Sequence, residues 1–342
     1  MTAPSPSTGR PSTAPSPSTA PRSARQPAGP SAEPLFAGPL FAALDIGGTK
    51  TAGALVDAAG TLTHRVQLPT PAREAGTEVL AVVHRVLDRL AAAPEWDAVT
   101  AVGIGSAGPV DLAAGTVSPV NIPGWRAFPL TTEVAAHPAV GARPVRLAGD
   151  GVAMAAAEHW LGAARGADNA LCLVVSTGVG AGLVLDGAVR PGPSGNAGHL
   201  GHITVDLDGE PCPCGSRGCL EGIASGTAIA RQALAGGWRP AGDDRSARAV
   251  AEDARAGHPV ALAAFDRAAR ALAAGIAATA ALVDLRRVVI GGGVATAGPV
   301  LLDPLARHLD DYAALPYVRG LEVRRAELGT DAGLIGAAAL CR

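Results

Sequence analysis

The strands that decide the fold lie in one stretch, FAALDIGGTKTAGALVDAAGTLTHRVQLPT, at residues 41–70. Residues 41–46 form a short apolar run, which predicts a buried strand. The runs TAGALVD and TLTHRVQL flank the turn residues AAG, and this pattern predicts a β-hairpin. The stretch therefore predicts a meander of three strands, with the glycines of DIGGTK at its first turn.

The chain beyond this meander continues with alternating elements. Apolar residues recur at helical spacing from Val79 to Leu90, which predicts an amphipathic helix. The segment VTAVGIGSAGPVD (residues 99–111) predicts a strand followed by a glycine-rich turn. PVRLAGDG (residues 144–151) predicts a strand that ends at Asp150 and leads into an alanine-rich helix.

The second half of the chain repeats this theme. NALCLVVSTGVGAGLVLDG (residues 169–187) again predicts a strand, a glycine-rich turn and a strand. A long helix over residues 258–284, a strand with a glycine turn over 286–293 and a terminal helix over 331–340 are expected to follow. Two lobes that each carry a strand, glycine turn and strand indicate an internal duplication, and we expect the ligand in the cleft between them.

Composition limits the class of protein. The chain has 342 residues, of which 48% are hydrophobic and 17% charged, with a formal net charge of -2, so it can form a sizeable core. It carries no basic stripe of the kind that binds nucleic acid, and no apolar run approaches the roughly 18 residues of a membrane span. Three of its five cysteines fall within residues 212–219, which suits a metal site in a reducing cytoplasm better than disulfides.

The first residues differ in composition from the rest. Residues 1–38 are rich in Pro, Ser, Thr and Ala without apolar periodicity, so they cannot bury enough surface to offset the entropy of ordering. We predict a disordered tail there; a transit peptide is the alternative, because the segment contains Arg and Ser and very few acids. We place an N-terminal α/β lobe at 39–150 and a C-terminal α/β lobe at 151–330, and expect the helix within 331–342 to pack back on the first lobe.

Three glycine-rich turns each follow a predicted buried strand. Successive N–H groups in such turns can form a concave nest for an anion, and an acid at the strand end could orient Mg²⁺ through water. Simple tight turns are the alternative for each one, and none matches the P-loop or dinucleotide-binding patterns. The candidate phosphate-binding residues are Asp45, Gly47, Gly48, Thr49 and Lys50 in the first turn, Ser176, Thr177, Gly178 and Gly180 in the second, and Gly291, Gly292 and Gly293 in the third.

Asp150 stands between a predicted strand and a predicted helix. One interpretation is a helix N-cap, the commoner role for an isolated Asp in that position. The other is a general base that takes a proton from a substrate hydroxyl during phosphoryl transfer. Such transfer needs positioning, charge stabilisation and one oriented proton acceptor from the protein.

Several motifs of the chain occur together in one known family. LDIGGTK, GIGSAGPVD, NIPGW, VSTGVGAGLV, GHLGHITVDLDGEPCPCGSRGCLEGIASG and DAGLIGAAAL resemble the ROK family of sugar kinases and sugar-responsive repressors from about residue 41 to the C-terminus. The resemblance implies an actin-like ATPase (ribonuclease H-like) fold with ATP and Mg²⁺ in an interlobe cleft. It also implies a homodimer that transfers the γ-phosphate to a sugar hydroxyl, usually at C6. Within the kinase branch, the chain is similar to bacterial glucokinases and N-acetylmannosamine kinases.

The resemblance also implies roles for single residues. Asp150 corresponds to the catalytic base, the first two turns to phosphate loops, and the third turn to the neighbourhood of the adenosine. A structural zinc ion would be held by His202, Cys212, Cys214 and Cys219, with reduced thiols and no metal as the alternative. The residues implied in sugar binding are Asn121, Asp150, His199, His202 and Glu221; a solvated acid at a helix start is the alternative for the last.

Two positions depart from the family pattern. His199 replaces the usual Glu, and a neutral His offers one donor and one acceptor to the sugar. N-acetylmannosamine kinases look similar here. Gly149 replaces the Asn that usually precedes the catalytic Asp, which removes an amide contact to the sugar. We therefore expect a hexose or amino-sugar kinase, with glucose and N-acetylmannosamine as first candidates and a kanosamine-type sugar as the alternative.

Two alternatives to an active kinase follow from the same resemblance. A sugar-sensing repressor of this family carries an N-terminal helix-turn-helix, which the Pro-rich residues 1–40 are not expected to form. A catalytically inactive sugar-binding protein would explain Gly149 and His199 as signs of decay. Retention of Asp150 and of both phosphate turns favours the enzyme, and we expect sugar and ATP as its ligands, without nucleic acid or membrane.

Overall fold

The computed structural model describes residues 38–342. The predicted disordered tail, apart from Gly38, therefore lies outside the described residues. The described strands are β1 (Leu40–Ile46), β2 (Lys50–Val56), β3 (Leu62–Pro69), β4 (Val99–Ser106), β5 (Val110–Asp111), β6 (Thr116–Val117), β7 (Val145–Gly149), β8 (Ala170–Val175), β9 (Val179–Leu185), β10 (Ala188–Val189), β11 (Arg287–Gly291) and β12 (Glu322–Arg325).

The helices lie between and after these strands. They are α1 (Gly76–Ala91), α2 (Leu130–Ala135), α3 (Asp150–Leu161), α4 (Glu221–Ala224), α5 (Gly226–Ala235), α6 (Ala247–Arg255), α7 (Pro259–Val283), α8 (Pro299–Tyr312) and α9 (Ala332–Ala339). Within residues 38–342, none of them is both long and apolar enough to cross a membrane.

Two five-stranded sheets repeat one topology. The first has the order β3-β2-β1-β4-β7 and the second the order β10-β9-β8-β11-β12. In each, the central strand pairs antiparallel with the strand after it in the chain and parallel with the next strand along the sheet. This repeat confirms the predicted internal duplication, and β1 to β3 form the predicted meander.

Each sheet is covered by helices on its faces. The amphipathic helix α1 buries Val79, Val83, Val86 and Leu90 against the first sheet, as its spacing predicts. The long helix α7 packs with α8 in the core of the second sheet, around Phe265.

Small residues let the helices α3 and α9 approach other backbones closely. A Cβ built at Gly336 would lie 1.9 Å from the carbonyl oxygen of Ala153, and one at Gly103 would lie 1.8 Å from that of Ala337. The C-terminal helix α9 therefore packs directly on the first sheet and on α3. This close packing accounts for part of the Ala and Gly content of the chain.

Helix α3 lies between the two sheets and begins in the cleft. Strand β7 ends at Gly149, one residue before its predicted end, because Asp150 already starts α3. At the other end of α3, the buried Glu158 carboxylate accepts hydrogen bonds from the backbone N–H groups of Ala163 and Leu328. These bonds fix α3, and with it the position of Asp150, against the segment that leads into α9.

Candidate active site

A cavity at the base of the cleft is formed by both halves of the molecule. Its lining includes Gly108, which follows β4, and Gly149 and Asp150 at the start of α3. Asn196 and His199 line it from the segment after β10. The cavity therefore joins the candidate base to the candidate sugar-binding histidine.

Asp150 lies in the cavity and next to the second glycine turn. Its carboxylate is open to water in the cleft, yet protein surrounds it on most sides, and this desolvation raises its pKa to about 6. The N–H of Gly151 donates to Oδ1 over 2.7 Å, and this bond opposes the rise, whereas the neighbouring charges of Asp45 and Glu221 add to it. A Cβ built at Gly180 would lie 3.4 Å from the same oxygen, so the second turn is adjacent.

Asp45 occupies the end of β1 beside the first turn of α9. A Cβ built at Gly333 would lie 2.6 Å from its carboxyl group. Burial raises the pKa of Asp45, and the positive charges of Lys50 and Arg65 oppose that rise. Since Asp45 also acts electrostatically on Asp150, the two carboxylates lie near the same part of the cleft. Paired acids there suit a hydrated Mg²⁺ ion.

The first glycine turn connects β1 to β2. The N–H of Gly47 donates to the carbonyl of Lys50 over 2.9 Å, which closes the turn. A Cβ built at Gly48 would lie 2.8 Å from the side chain of Asn121. The structure thus places Asn121 against the first glycine turn, on the exposed rim of the cleft.

The second and third turns meet at the start of α5. The N–H of Gly226 donates to the carbonyl of Ser176 over 2.7 Å. Gly292 has φ +87°, and a Cβ there would lie 2.4 Å from the carbonyl of Val175, so this position needs glycine. Around Gly293 the space is open to 4 Å. The two turns therefore border one face where a nucleotide could lie.

Glu221 makes a contact that the sequence did not reveal. Its Oε2 accepts a hydrogen bond from the N–H of Val179 over 2.9 Å, and a Cβ built at Gly178 would lie 2.5 Å from the same oxygen. Glu221 therefore connects the end of the cysteine-rich segment to the second glycine turn. Residues distant in sequence, with no shared motif, form this bond.

The two histidines of the GHLGH motif lie side by side. The rings of His199 and His202 stack with centroids 5.0 Å apart and an interplanar angle of 23°. Burial, followed by the neighbouring His202, lowers the pKa of His199, which Glu221 partly opposes. His199 is therefore neutral at pH 7 and offers one donor and one acceptor.

The four predicted zinc ligands come together. The ligand atoms of His202, Cys212, Cys214 and Cys219 all lie within 4.8 Å of one another. Cys214 Sγ and Cys219 Sγ are 3.7 Å apart, and His202 Nδ1 is 3.7 Å from Cys212 Sγ. A tetrahedral ion with Zn–S bonds of about 2.3 Å separates its thiolates by about 3.8 Å. The donor set and its spacing fit zinc.

Sequence reasoning also missed the residues that join the lobes beside the cavity. Asn196 forms two hydrogen bonds with the backbone of Val110, although it belongs to no recognised motif. Its position between Gly195 and Gly198, both of positive φ, marks an irregular turn but does not identify the partner.

Comparison with known proteins agrees with this arrangement. The sequence model of the ROK family matches residues 41–342. A glucokinase of Thermotoga maritima is 36% identical over 312 residues, which cover 87% of this chain and 96% of the relative. An N-acetylmannosamine kinase of Haemophilus influenzae is 38% identical over 301 residues, which cover 86% and 93%.

Solved structures agree as well. The crystal structure of a ROK family glucokinase from Streptomyces griseus, in complex with glucose and AMPPNP, superimposes with a TM-score of 0.75 at 33% identity. The match covers 88% of this chain and 98% of that chain.

Proposed function

Because the chain belongs to the ROK family, we propose that it is an ATP-dependent kinase that phosphorylates the C6 hydroxyl of a hexose or amino sugar. Its fold is the actin-like ATPase fold, with two lobes of the same strand order. The observation that carries the proposal is the position of Asp150, which lies in one cavity with His199 and adjoins the second glycine turn.

Asp150 serves as the general base. With a pKa of about 6, it is mostly ionised at pH 7 yet basic enough to accept a proton as the sugar hydroxyl attacks phosphorus. The short helix-start bond from Gly151 to Oδ1 holds one oxygen and leaves the other for the substrate.

The glycine turns bind the phosphates of ATP. Their backbone N–H groups and the side chains of Thr49, Lys50 and Thr177 provide donors on both walls of the cleft. Asp45 orients hydrated Mg²⁺, which when bound neutralises charge that develops on the phosphate oxygens. The open space at Gly293 receives the adenosine.

The sugar lies between Asp150 and the segment after β10. The neutral His199 ring and the Glu221 carboxylate form hydrogen bonds with its hydroxyl or acylamino groups. His202 and Asn121 lie at the edge of the sugar site. A Cβ built at Gly149 would meet nothing within 4 Å, so room exists beside the base for a substituent on the ring. Glucose and N-acetylmannosamine are our first candidates, with a kanosamine-type sugar as the second.

We propose that a zinc ion held by His202, Cys212, Cys214 and Cys219 has a structural role. When bound, it would crosslink the cysteine-rich segment and fix the ring of His202. Through the stack of the two imidazoles, this also restricts His199.

The remaining assignments rest on family membership. We propose a homodimer in the cytoplasm, with lobes at residues 39–150 and 151–330 and the C-terminal helix attached to the first lobe.

A sugar panel tests the proposed function. Sugar-dependent ADP release is measured with glucose, N-acetylmannosamine, N-acetylglucosamine, mannose, glucosamine and kanosamine, and the product is mapped by NMR. We expect turnover on at least one, with phosphate at C6. Sugar binding by calorimetry without any ADP release would instead support a non-catalytic sugar-sensing protein.

A further inference from the structure

The two lobes are joined beside the cavity by one asparagine. The N–H of Val110, in β5, donates to Asn196 Oδ1 over 2.9 Å, and Asn196 Nδ2 donates to the carbonyl of Val110 over 2.7 Å. The side-chain amide thus pairs with Val110 as a backbone strand partner would. Val110 packs in the core of the N-terminal lobe, whereas Asn196 lies on the segment between β10 and the cysteines.

The backbone next to Asn196 extends this pairing. The N–H of Leu112 donates to the carbonyl of Ser194 over 3.2 Å. A Cβ built at Gly195 would lie 2.5 Å from the Leu112 side chain, so the segment rests directly on β5. We name these contacts of Ser194 and Asn196 with Val110 and Leu112 the interlobe latch.

The latch is connected to His199 through the main chain. The N–H of His199 donates to the carbonyl of Asn196 over 3.2 Å. A Cβ built at Gly108 would lie 3.8 Å from His199 Cε1 and 3.9 Å from Asn196 Oδ1. Both side chains therefore border the same point of the first lobe, at the wall of the cavity.

Besides the latch, this segment is held by backbone hydrogen bonds of its own, such as that from the N–H of Ala197 to the carbonyl of Pro191 over 2.9 Å. Gly192, Gly195 and Gly198 have φ values of +72°, +93° and +84°. Glycine adopts such conformations without steric cost, but it loses more conformational entropy than other residues when it is ordered. The two hydrogen bonds of the Asn196 side chain are what connects this turn, which leads to His199, to Val110 in the first lobe.

We propose that Asn196 is a positioning residue of the sugar site. It joins the two lobes beside the cavity and thereby orients His199 toward the sugar. This inference rests on the proposed sugar-kinase function. Asn196 acts through His199, without a chemical role of its own. The ATP side of the cleft is untouched by it.

A matched pair of variants tests the role of Asn196. Asn169 makes the same two kinds of bond, from the N–H of Asp186 and to the carbonyl of Asp284, but within the C-terminal lobe, at the start of β8. We expect Asn196→Ala to raise the KM for sugar about tenfold, which corresponds to about 1.4 kcal/mol for the two lost bonds together. We expect it to leave the KM for ATP within about twofold, and Asn169→Ala to leave both within about twofold. Equal effects of the two variants on the KM for sugar would overturn the proposal.

A double variant tests the connection to His199. If Asn196 acts through His199, then Asn196→Ala should change the KM for sugar by less than about twofold in a His199→Ala background. A full tenfold effect in that background would show that Asn196 does not act through the histidine.

Hydrogen exchange tests the latch without any turnover. Residue-resolved exchange by NMR should show faster exchange at both Val110 and Leu112 in Asn196→Ala, although Leu112 donates to a different residue, because the latch opens as a unit. Unchanged exchange at Leu112 would contradict this. Absence of turnover in the wild type would refute the proposed kinase function, while the exchange result still decides whether the latch exists.

Discussion

The two lobes share a strand order but hold their functional residues in different ways. In the N-terminal lobe, Asp45 is the penultimate residue of β1 and Lys50 begins β2, so the sheet itself positions them. In the C-terminal lobe, residues 190–220 contain only one short 3-10 turn, at Leu200–His202, among the described elements. Three sets of contacts hold that segment: the cluster of three cysteines and His202, the hydrogen bond from Val179 to Glu221, and the interlobe latch.

This difference has a consequence for substitutions. A residue at a strand end is held by many backbone hydrogen bonds, so no single side chain decides its place. A residue on the irregular segment depends on a few side chains, so one substitution there can alter sugar binding while the fold persists.

The largest effect is expected at Asp150, where the two regions meet. Asp150→Asn removes the proton acceptor, and we expect kcat to fall about a thousandfold, in the range of general-base catalysis. Sugar and ATP binding, measured by calorimetry, should persist. Asp111→Asn, at the exposed end of β5, is the control and should keep its kcat. If Asp150→Asn retains a tenth of wild-type kcat, Asp150 is not the base.

The next prediction tests the cluster of three cysteines and His202 on the irregular segment. Cys219→Ala removes a buried ligand of the cluster, and we expect zinc per chain, by elemental analysis, to fall close to zero. The KM for sugar should rise at least about tenfold, as for loss of a residue that orients a ligand, and the KM for ATP should change little. Cys341→Ala, at the C-terminus, should keep zinc and KM. Full zinc content in Cys219→Ala would show that the cluster is not the site.

A smaller effect is expected at Glu221, which connects the irregular segment to the second glycine turn. Glu221→Gln keeps an acceptor for the Val179 N–H but removes its charge, which weakens the bond. Because that bond connects the sugar side to the second phosphate turn, we expect a threefold to tenfold rise, roughly, in the KM of both sugar and ATP. A change confined to the sugar would mean that Glu221 does not support the phosphate turn.

The smallest effect concerns pH. The pKa of Asp150 is raised to about 6 when folded, from about 3.9 when unfolded. Between these values the folded state binds more protons, so the Asp150 contribution to stability falls as pH rises through that window. Asp150→Asn should therefore gain in Tm relative to wild type as pH rises from about 4 to about 6, while wild-type kcat falls below about pH 6. A constant difference in Tm would contradict the raised pKa.

Much of the fold could be predicted from patterns within short stretches. The apolar run at residues 41–46 predicts β1, a strand buried on both faces. The spacing from Val79 to Leu90 predicts α1, because burial of one helix face imposes a fixed period. The glycine turns and the cysteine spacing predict candidate sites because the residues involved are close together in the sequence. The end of β7 was predicted one residue late, since a strand and a helix N-terminus tolerate the same residues there.

Pairwise contacts between distant segments could not be predicted in this way. The bond from Val179 to Glu221 spans 42 positions and the pair of bonds from Asn196 to Val110 spans 86. No sequence pattern identifies the partners in either case, because a backbone N–H donates to any suitable oxygen that the fold brings to it.

The sequence by itself determined the duplicated α/β pattern, the three glycine turns, the candidate base and the four candidate metal ligands. Each of these depends on residue type and spacing along a few turns of chain. Only the tertiary structure decided that Asp150 adjoins the second turn, that Asn121 faces Gly48 and that Asn196 joins the lobes. Those relations depend on how α3 and the two sheets pack, and packing is fixed by the whole core at once.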